Sequence, residues 1–297
     1  MSHTPAKSSL NLLPTASLLT AIVSVQVGAS LAKGLFPAVG AQGVTALRVT
    51  LAALVLALVW RPWRGGPLSK RDLRNIALYG AALGLMNLLF YVALTRIPLG
   101  VAVALEFTGP LALAVSASRR PLDFVWIVLA IAGLALLLPF GAASDGMDMV
   151  GAAFAVGAGV CWALYILFGQ KAGDAVHGGR AAALGMVVAT AIVLPFGVAE
   201  AGAKLLDPSL LPMALGVAVL SSALPFSLEM VALTRMPTRV FGVMLSLDPA
   251  VAALVGLAVL GERLSLLQWA AVGLIVAASA GSAATAQKRA PAPDTLA

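Results

Sequence analysis

Four ionisable side chains, Arg48, Glu106, Glu229 and Asp248, stand inside long apolar runs of this 297-residue chain. A charge of that kind is costly in hydrocarbon, at least about 2.5–3.5 kcal/mol for Arg or Asp at a helix centre. Groups that bear such a cost face a bundle interior, a water-filled cavity or one another. Their chemistry is complementary. A guanidinium takes a carboxylate, whereas a carboxylate takes an ammonium or carries a proton. Glu106 follows Pro98 by eight residues, about 12 Å along a helix at 1.5 Å per residue, which places it near mid-membrane. Asp248 is similarly deep, Arg48 is a third to halfway into its run, and Glu229 is a few residues from the end of its own. An Arg48–Glu106 or Arg48–Asp248 ion pair that only locks helices together is the structural alternative. Gln26, Asn87, Tyr91 and Tyr165 add uncharged polar groups in the same runs, able to bond a zwitterionic ligand or a neighbouring helix. Trp162 lies beside Tyr165.

The elements that position these residues are legible in the hydropathy. Hydrophobic residues make up 61% of the chain and charged residues 10%, against about 25% charged in soluble domains. About 20 apolar residues cross a bilayer core, and by that measure ten runs appear: 13–33, 39–60, 73–94, 98–118, 122–140, 149–169, 180–199, 210–232, 238–260 and 265–285. The expected class is an all-α integral membrane protein of ten transmembrane helices. Residues 1–12 read as a cytoplasmic N-terminal segment. The first apolar run is too long for a signal-peptide core. Residues 286–297 are polar and proline-rich, a composition expected of a disordered cytoplasmic tail. Gly and Ala fill the spans, as in GAAFAVGAGVCWA at 151–163, and such small residues let helices approach closely.

Orientation follows from Lys and Arg. With the N-terminus inside, the inner segments hold Lys7, Arg61, Arg64, Lys70, Arg71, Arg74, Arg119, Arg120, Lys171, Arg180, Arg235, Arg239, Lys288 and Arg289, 14 in all. The outer segments hold four: Lys33, Arg96, Lys204 and Arg263. The positive-inside rule then predicts both termini in the cytoplasm. It also explains the net charge of +7 as a basic rim, and so argues against nucleic acid as a partner.

A duplication organises the chain. VALTRIPLGVAVALEFTGP at 92–110 aligns without a gap to VALTRMPTRVFGVMLSLDP at 231–249, an offset of 139 residues. Two repeats, 13–140 and 149–285, are expected. Five spans each is an odd number, so the second enters the membrane inverted relative to the first. Trp126 and Trp269 echo each other near the starts of the last span of each repeat. Inverted repeats are typical of secondary transporters, which bind substrate near the midplane between them. Gly109-Pro110 and Asp248-Pro249 occupy one repeat position and, with Pro225, are the expected hinges, because proline within a span frees a carbonyl and kinks the helix. The acids are offset: Glu106 aligns with Leu245, and Asp248 with Gly109.

Other chemistries lack their residues. No GxxxxGKS/T segment is present to cradle a nucleotide phosphate. His3 and His177 fall in polar segments, the single Cys161 permits no internal disulfide, and no nucleophile–base or metal-ligand pattern lies in the spans. No cofactor and no metal are expected, and an enzyme is not.

LGERLSLLQWAAVGLIVAAS at 260–279, with Glu262 in its LGE motif, resembles the closing segment of the EamA family of the drug/metabolite transporter superfamily. The resemblance covers roughly residues 14–285 and implies ten spans built from two five-span repeats. The first repeat departs from the pattern, reading ASRRPLDFVW where that Glu would stand. VGASLAKGLFPAVGAQGVTALR (27–48), IPLGVAVALEFTGPLALAVSASRRPLDFVW (97–126), GAGVCWALYIL (157–167) and ALPFSLEMVALTRMPTR (223–239) are similar to amino-acid exporters of that family. The implied activity is export of threonine, homoserine and related small amino acids across the bacterial inner membrane, driven by proton entry. Arg48 and Glu106 would then engage the carboxylate and ammonium of the substrate, and Glu106 or Asp248 the proton. A broader metabolite or drug exporter is the other reading within transport.

Overall fold

The computed structural model describes residues 12–116, 121–137, 148–176, 178–225, 228 and 244–286. Among the described residues every regular element is helical: α1 Leu12–Gly34, α2 Phe36–Trp60, α3 Lys70–Leu94, α4 Leu99–Ser116, α5 Pro121–Leu137, α6 Met149–Ala175, α7 Gly178–Ala201, α8 Leu211–Ala218, α9 Asp248–Leu260 and α10 Leu266–Ala286. Five segments are long and apolar enough to cross a membrane, at 13–34, 36–60, 70–94, 149–173 and 179–206; shorter apolar helices cover 99–113, 208–223, 248–260 and 266–278. The chain is an all-helical, multi-pass membrane protein.

Local chemistry sets the boundaries. α3 starts at a capping box in which Ser69 Oγ accepts Asp72 N–H and Asp72 Oδ2 accepts Ser69 N–H, both at 3.1 Å. Asp148 caps α6, accepting Val150 N–H at 2.8 Å and Gly151 N–H at 3.1 Å. α2 is irregular at Gly40, whose φ of 70° is a left-handed conformation that costs glycine little. The Glu200 carboxylate occupies the space a Cβ there would need.

Two features depart from the expected spans. The eighth run does not continue as α-helix: α8 passes into a π-helical turn, Val219–Ala223. The ninth, expected as one helix over 238–260, has a turn at 246–247, and α9 begins only at Asp248. Proline is favoured in the first turn of a helix, where its missing N–H goes unused. Pro249 therefore opens a helix instead of kinking one, while Pro110 lies inside the unbroken α4. The two prolines, expected to form matched kinks, have different local roles. At 13 residues, α9 is about 20 Å long, less than the roughly 30 Å hydrocarbon core. Glu229 and the TRMPTR turn lie outside the described residues, as do the Arg119–Arg120 turn and both terminal segments.

α4 lies at the centre. Leu99 and Val101 to Leu105 are all at most 3% exposed, and they pack with Ala155 of α6, Ala252 of α9 and Ile275 of α10. A helix buried on every side needs no amphipathic stripe. Around it, α2 packs on α7, α3 on both α6 and α7, α4 on α6, α9 and α10, and α5 on α10; α1 packs on α8, its π-turn and α9. Leu54, Leu58, Val128 and Val160 are among the large apolar side chains left exposed on the outside of the bundle, as lipid contact requires.

Candidate functional site

Three of the four intramembrane charges are described; Arg48 and Glu106 are buried and Asp248 is half-buried, among helices from both halves of the chain. Arg48, on α2, is 8% exposed. Its Nη1 donates to Ser221 Oγ at 3.0 Å and reaches Ser221 O and Ser222 Oγ at 3.4 Å. Its guanidinium carbon lies 5.0 Å from the centre of the Tyr91 ring on α3, a cation–π contact. Nε has no hydrogen-bond partner.

The π-turn and Pro225 explain why Arg48 finds acceptors there. Proline has no N–H, so the carbonyls four and five residues before Pro225, those of Ser221 and Leu220, lose that partner. Both are met by side chains of α1 and α2: Leu220 O accepts from Ser24 Oγ at 2.7 Å, and Ser221 O faces Arg48 Nη1. Gly28 makes the approach possible, because a Cβ there would meet Ser221 Cβ at 2.9 Å.

Glu106 is 7% exposed on α4 and interacts electrostatically with both Asp248 and Arg48. It forms no ion pair with Arg48; among the described residues the ion pairs are Lys33–Glu262 and Arg96–Asp148, both at helix ends. The Arg48–Glu106 and Arg48–Asp248 locks weighed from the sequence are thus absent among the described residues. The backbone of Glu106 lies against α6, where a Cβ on Gly159 would meet Glu106 O at 2.5 Å and one on Gly109 would collide with Gly159 O. Phe107 meets Trp162 edge-on at 5.4 Å in the same crossing.

Asp248 is the first residue of α9, a position where the helix dipole favours a carboxylate. Gln26 Nε2 donates to Asp248 Oδ1 at 2.9 Å across from α1, and Gln26 Oε1 has no partner. Tyr91 is 2% exposed; its hydroxyl stands near Ser221 without a hydrogen bond of acceptable geometry.

Two expected polar residues make contacts with helices in this structure. Asn87 Nδ2 donates to Leu83 O of its own helix at 2.8 Å. Tyr165 stacks on Tyr79, with ring centres 5.0 Å apart. Sequence reasoning missed Ser221 and Ser222, although SSALP in an apolar run was a signal: two hydroxyls just ahead of a proline. It also missed the acids that reach helix N–H groups in the other half of the chain. Glu262 Oε1 accepts from Lys33 Nζ at 2.6 Å, and Oε2 accepts Leu99 N–H, the start of α4, at 2.8 Å. Glu200 Oε2 accepts Gln42 N–H at 2.6 Å and Gly43 N–H at 3.1 Å.

Comparison with known proteins gives this geometry its family. The chain is 53% identical over 276 residues to the threonine/homoserine exporter RhtA of Escherichia coli K12, covering 93% of each chain. Residues 149–283 match the profile of the EamA-like transporter family. The chain belongs to that family. RhtA of Salmonella typhimurium LT2 is likewise 53% identical, with 93% of each chain covered. A solved crystal structure aligns with a TM-score of 0.58 at 17% identity, covering 90% of this chain and 96% of that one, a likeness of fold alone. Family membership places the chain among transporters rather than enzymes.

Proposed function

We propose that this protein exports small amino acids, threonine and homoserine among them, across the bacterial inner membrane by alternating access coupled to proton entry. In this reading it has ten spans in two inverted halves, residues 13–140 and 149–285, with both termini cytoplasmic. The relatives at 53% identity are named as exporters of these substrates.

The packing supports two related halves. Exchanging α1–α5 with α6–α10 turns the α3–α6 contact into α8–α1, α3–α7 into α8–α2 and α4–α6 into α9–α1, all of which occur. The α2–α7, α4–α9 and α5–α10 contacts each map onto themselves. Loops expected on one face also meet each other: Lys33 with Glu262 and Arg96 with Asp148 on the outer, Arg180 with Pro62 and Gly66 on the inner.

One observation carries the functional reading. Arg48 and Glu106 are buried, Asp248 is half-buried, and the three come from both halves and interact electrostatically, yet among the described residues they form no ion pair with one another. A cation and two acids held apart suit a zwitterion, with Arg48 for its carboxylate and Glu106 for its ammonium. Glu106 or Asp248, the second acid beside Gln26, would hold the proton. The test is threonine flux by purified protein in liposomes. Glu106→Gln should lower that flux and remove its dependence on the pH gradient; wild-type, pH-dependent flux in the variant would sink the proposal.

A further inference from the structure

We infer that the π-turn Val219–Ala223 is a specificity element: it grips one side of the Arg48 guanidinium so that the opposite edge, Nε with Nη2, receives a ligand carboxylate side-on. This rests on the transport reading above and adds how the carboxylate is chosen.

The guanidinium is a planar fork. Nε and Nη2 lie on one edge with parallel N–H bonds, spaced to meet both oxygens of a carboxylate. Nη1 lies on the other side, and its acceptors among the described residues are Ser221 and Ser222. Ser221 and Ser222 are themselves 8% and 3% exposed, and Ser221 Oγ donates to Val217 O at 2.6 Å, which turns its lone pairs toward Arg48. Tyr91 covers the guanidinium face at 5.0 Å and carries an unpartnered hydroxyl. The group therefore cannot swing freely, and Nε presents an unpartnered donor that is fully enclosed. A buried donor without an acceptor is costly, and an arriving acceptor removes that cost. π-turns often mark functional positions in helices. This one exists because Pro225 withholds an N–H from the carbonyls that Arg48 and Ser24 take up.

The surroundings narrow the ligand. Glu106 and Asp248 share the region, so a ligand of two negative charges would be repelled. A zwitterion with one flat carboxylate fits; its amide does not, because an NH2 would face the Nε–H or Nη2–H donor.

The experiment compares threonine with threoninamide, by calorimetric binding to the purified protein and by competition for threonine flux in liposomes. Wild type should favour threonine by about tenfold to a hundredfold, the value of one to two charge-assisted hydrogen bonds. Ser221→Ala/Ser222→Ala keeps both Cβ atoms and the packing on Gly28. It should raise KM for threonine about tenfold with kcat retained, and largely erase the preference. Arg48→Lys keeps the charge but not the fork and should lose the preference too. Thermal unfolding of each variant in detergent verifies folding. An undiminished preference in the folded double-serine variant overturns the inference and leaves export standing. Threonine binding without flux overturns export while the preference still judges the π-turn. A wild type that binds threonine no better than its amide overturns the inference outright.

Discussion

Glu262→Ala should destabilise the protein through two separable losses. Leu99 is 0% exposed, and its N–H at the start of α4 has Glu262 Oε2 as acceptor at 2.8 Å. Leaving a buried donor unsatisfied costs about 1–3 kcal/mol. The Lys33 ion pair, at 2.6 Å with side chains 21% and 15% exposed, adds about 0.5–1 kcal/mol. The sum is about 1.5–4 kcal/mol. Gln in place of Glu262 retains an oxygen for Leu99 N–H but loses the charge, so it should cost about half as much. Lys33→Ala removes only the smaller contribution, about 1 kcal/mol or less. Equilibrium unfolding in mixed micelles, with SDS as denaturant, measures all three, and the double variant gives the coupling between Lys33 and Glu262. A Glu262→Ala variant within about 0.5 kcal/mol of wild type would refute the capping argument. So would a Lys33→Ala loss equal to that of Glu262→Ala, since the ion pair alone would then account for the effect.

Gly159→Ala should separate α4 from α6 beside Glu106, because its Cβ would meet Glu106 O at 2.5 Å; overpacking of this kind costs about 1–3 kcal/mol. Gly173→Ala on the same helix, with nothing within 4 Å, is the control and should be near neutral in the same unfolding assay. Asp148 lies at the exposed start of α6, and its carboxyl is held below the usual carboxylate range by the Arg96 hydrogen bond first, then by Gly151 and Val150 N–H. A depressed folded value means that the stabilisation is complete above the unfolded value near 3.8 and fades as pH falls through the folded one. Asp148→Asn should therefore be less stable than wild type at neutral pH, and the gap in unfolding midpoint should shrink below about pH 4; a gap independent of pH would contradict this.

Hydropathy located most helix boundaries within a few residues, because a span must satisfy its own backbone bonds whatever its sequence. The breaks were harder to read. VLSSA is as apolar as its neighbours, and only the proline that follows shows that the backbone pattern must change. Likewise Asp248-Pro249 reads equally as a kink or a helix start; the choice depends on packing against α1 and α4, which composition does not encode. The charges were visible as costly residues, but their partners were not. Arg48 meets Ser221 across 173 positions of chain, and Gln26 meets Asp248 across 222. Apolar patterning says that such groups turn inward, not which helix they face.

The acids at the helix ends follow a rule that links the topology to the contacts. α2, α4 and α6 all begin on the face expected outside, and each presents the positive end of its dipole there. Each is met by a carboxylate: Glu200 at Gln42 and Gly43, where α2 restarts after the Gly40 break, Glu262 at Leu99, and Asp148 at Val150 and Gly151. Glu200 and Glu262 come from the second half of the chain, and Asp148 immediately precedes α6. Glu200 and Glu262 reach into the first half of the chain through those N–H groups, and Asp148 through Arg96. On the face expected inside, Arg180 at the start of α7 supplies N–H donors to Pro62 O and Gly66 O, just beyond the C-terminus of α2. Acid at the N-terminal ends and base at the C-terminal ends is what the dipoles of even-numbered helices require, and it coincides with the scarcity of Lys and Arg on the outer face. Alternating access would have to break the Glu200 and Glu262 contacts without unfolding the helices they cap. Water can replace the Glu200 carboxylate at the exposed Gln42 N–H, whereas the Leu99 N–H would have to become accessible to water as the Glu262 contact breaks.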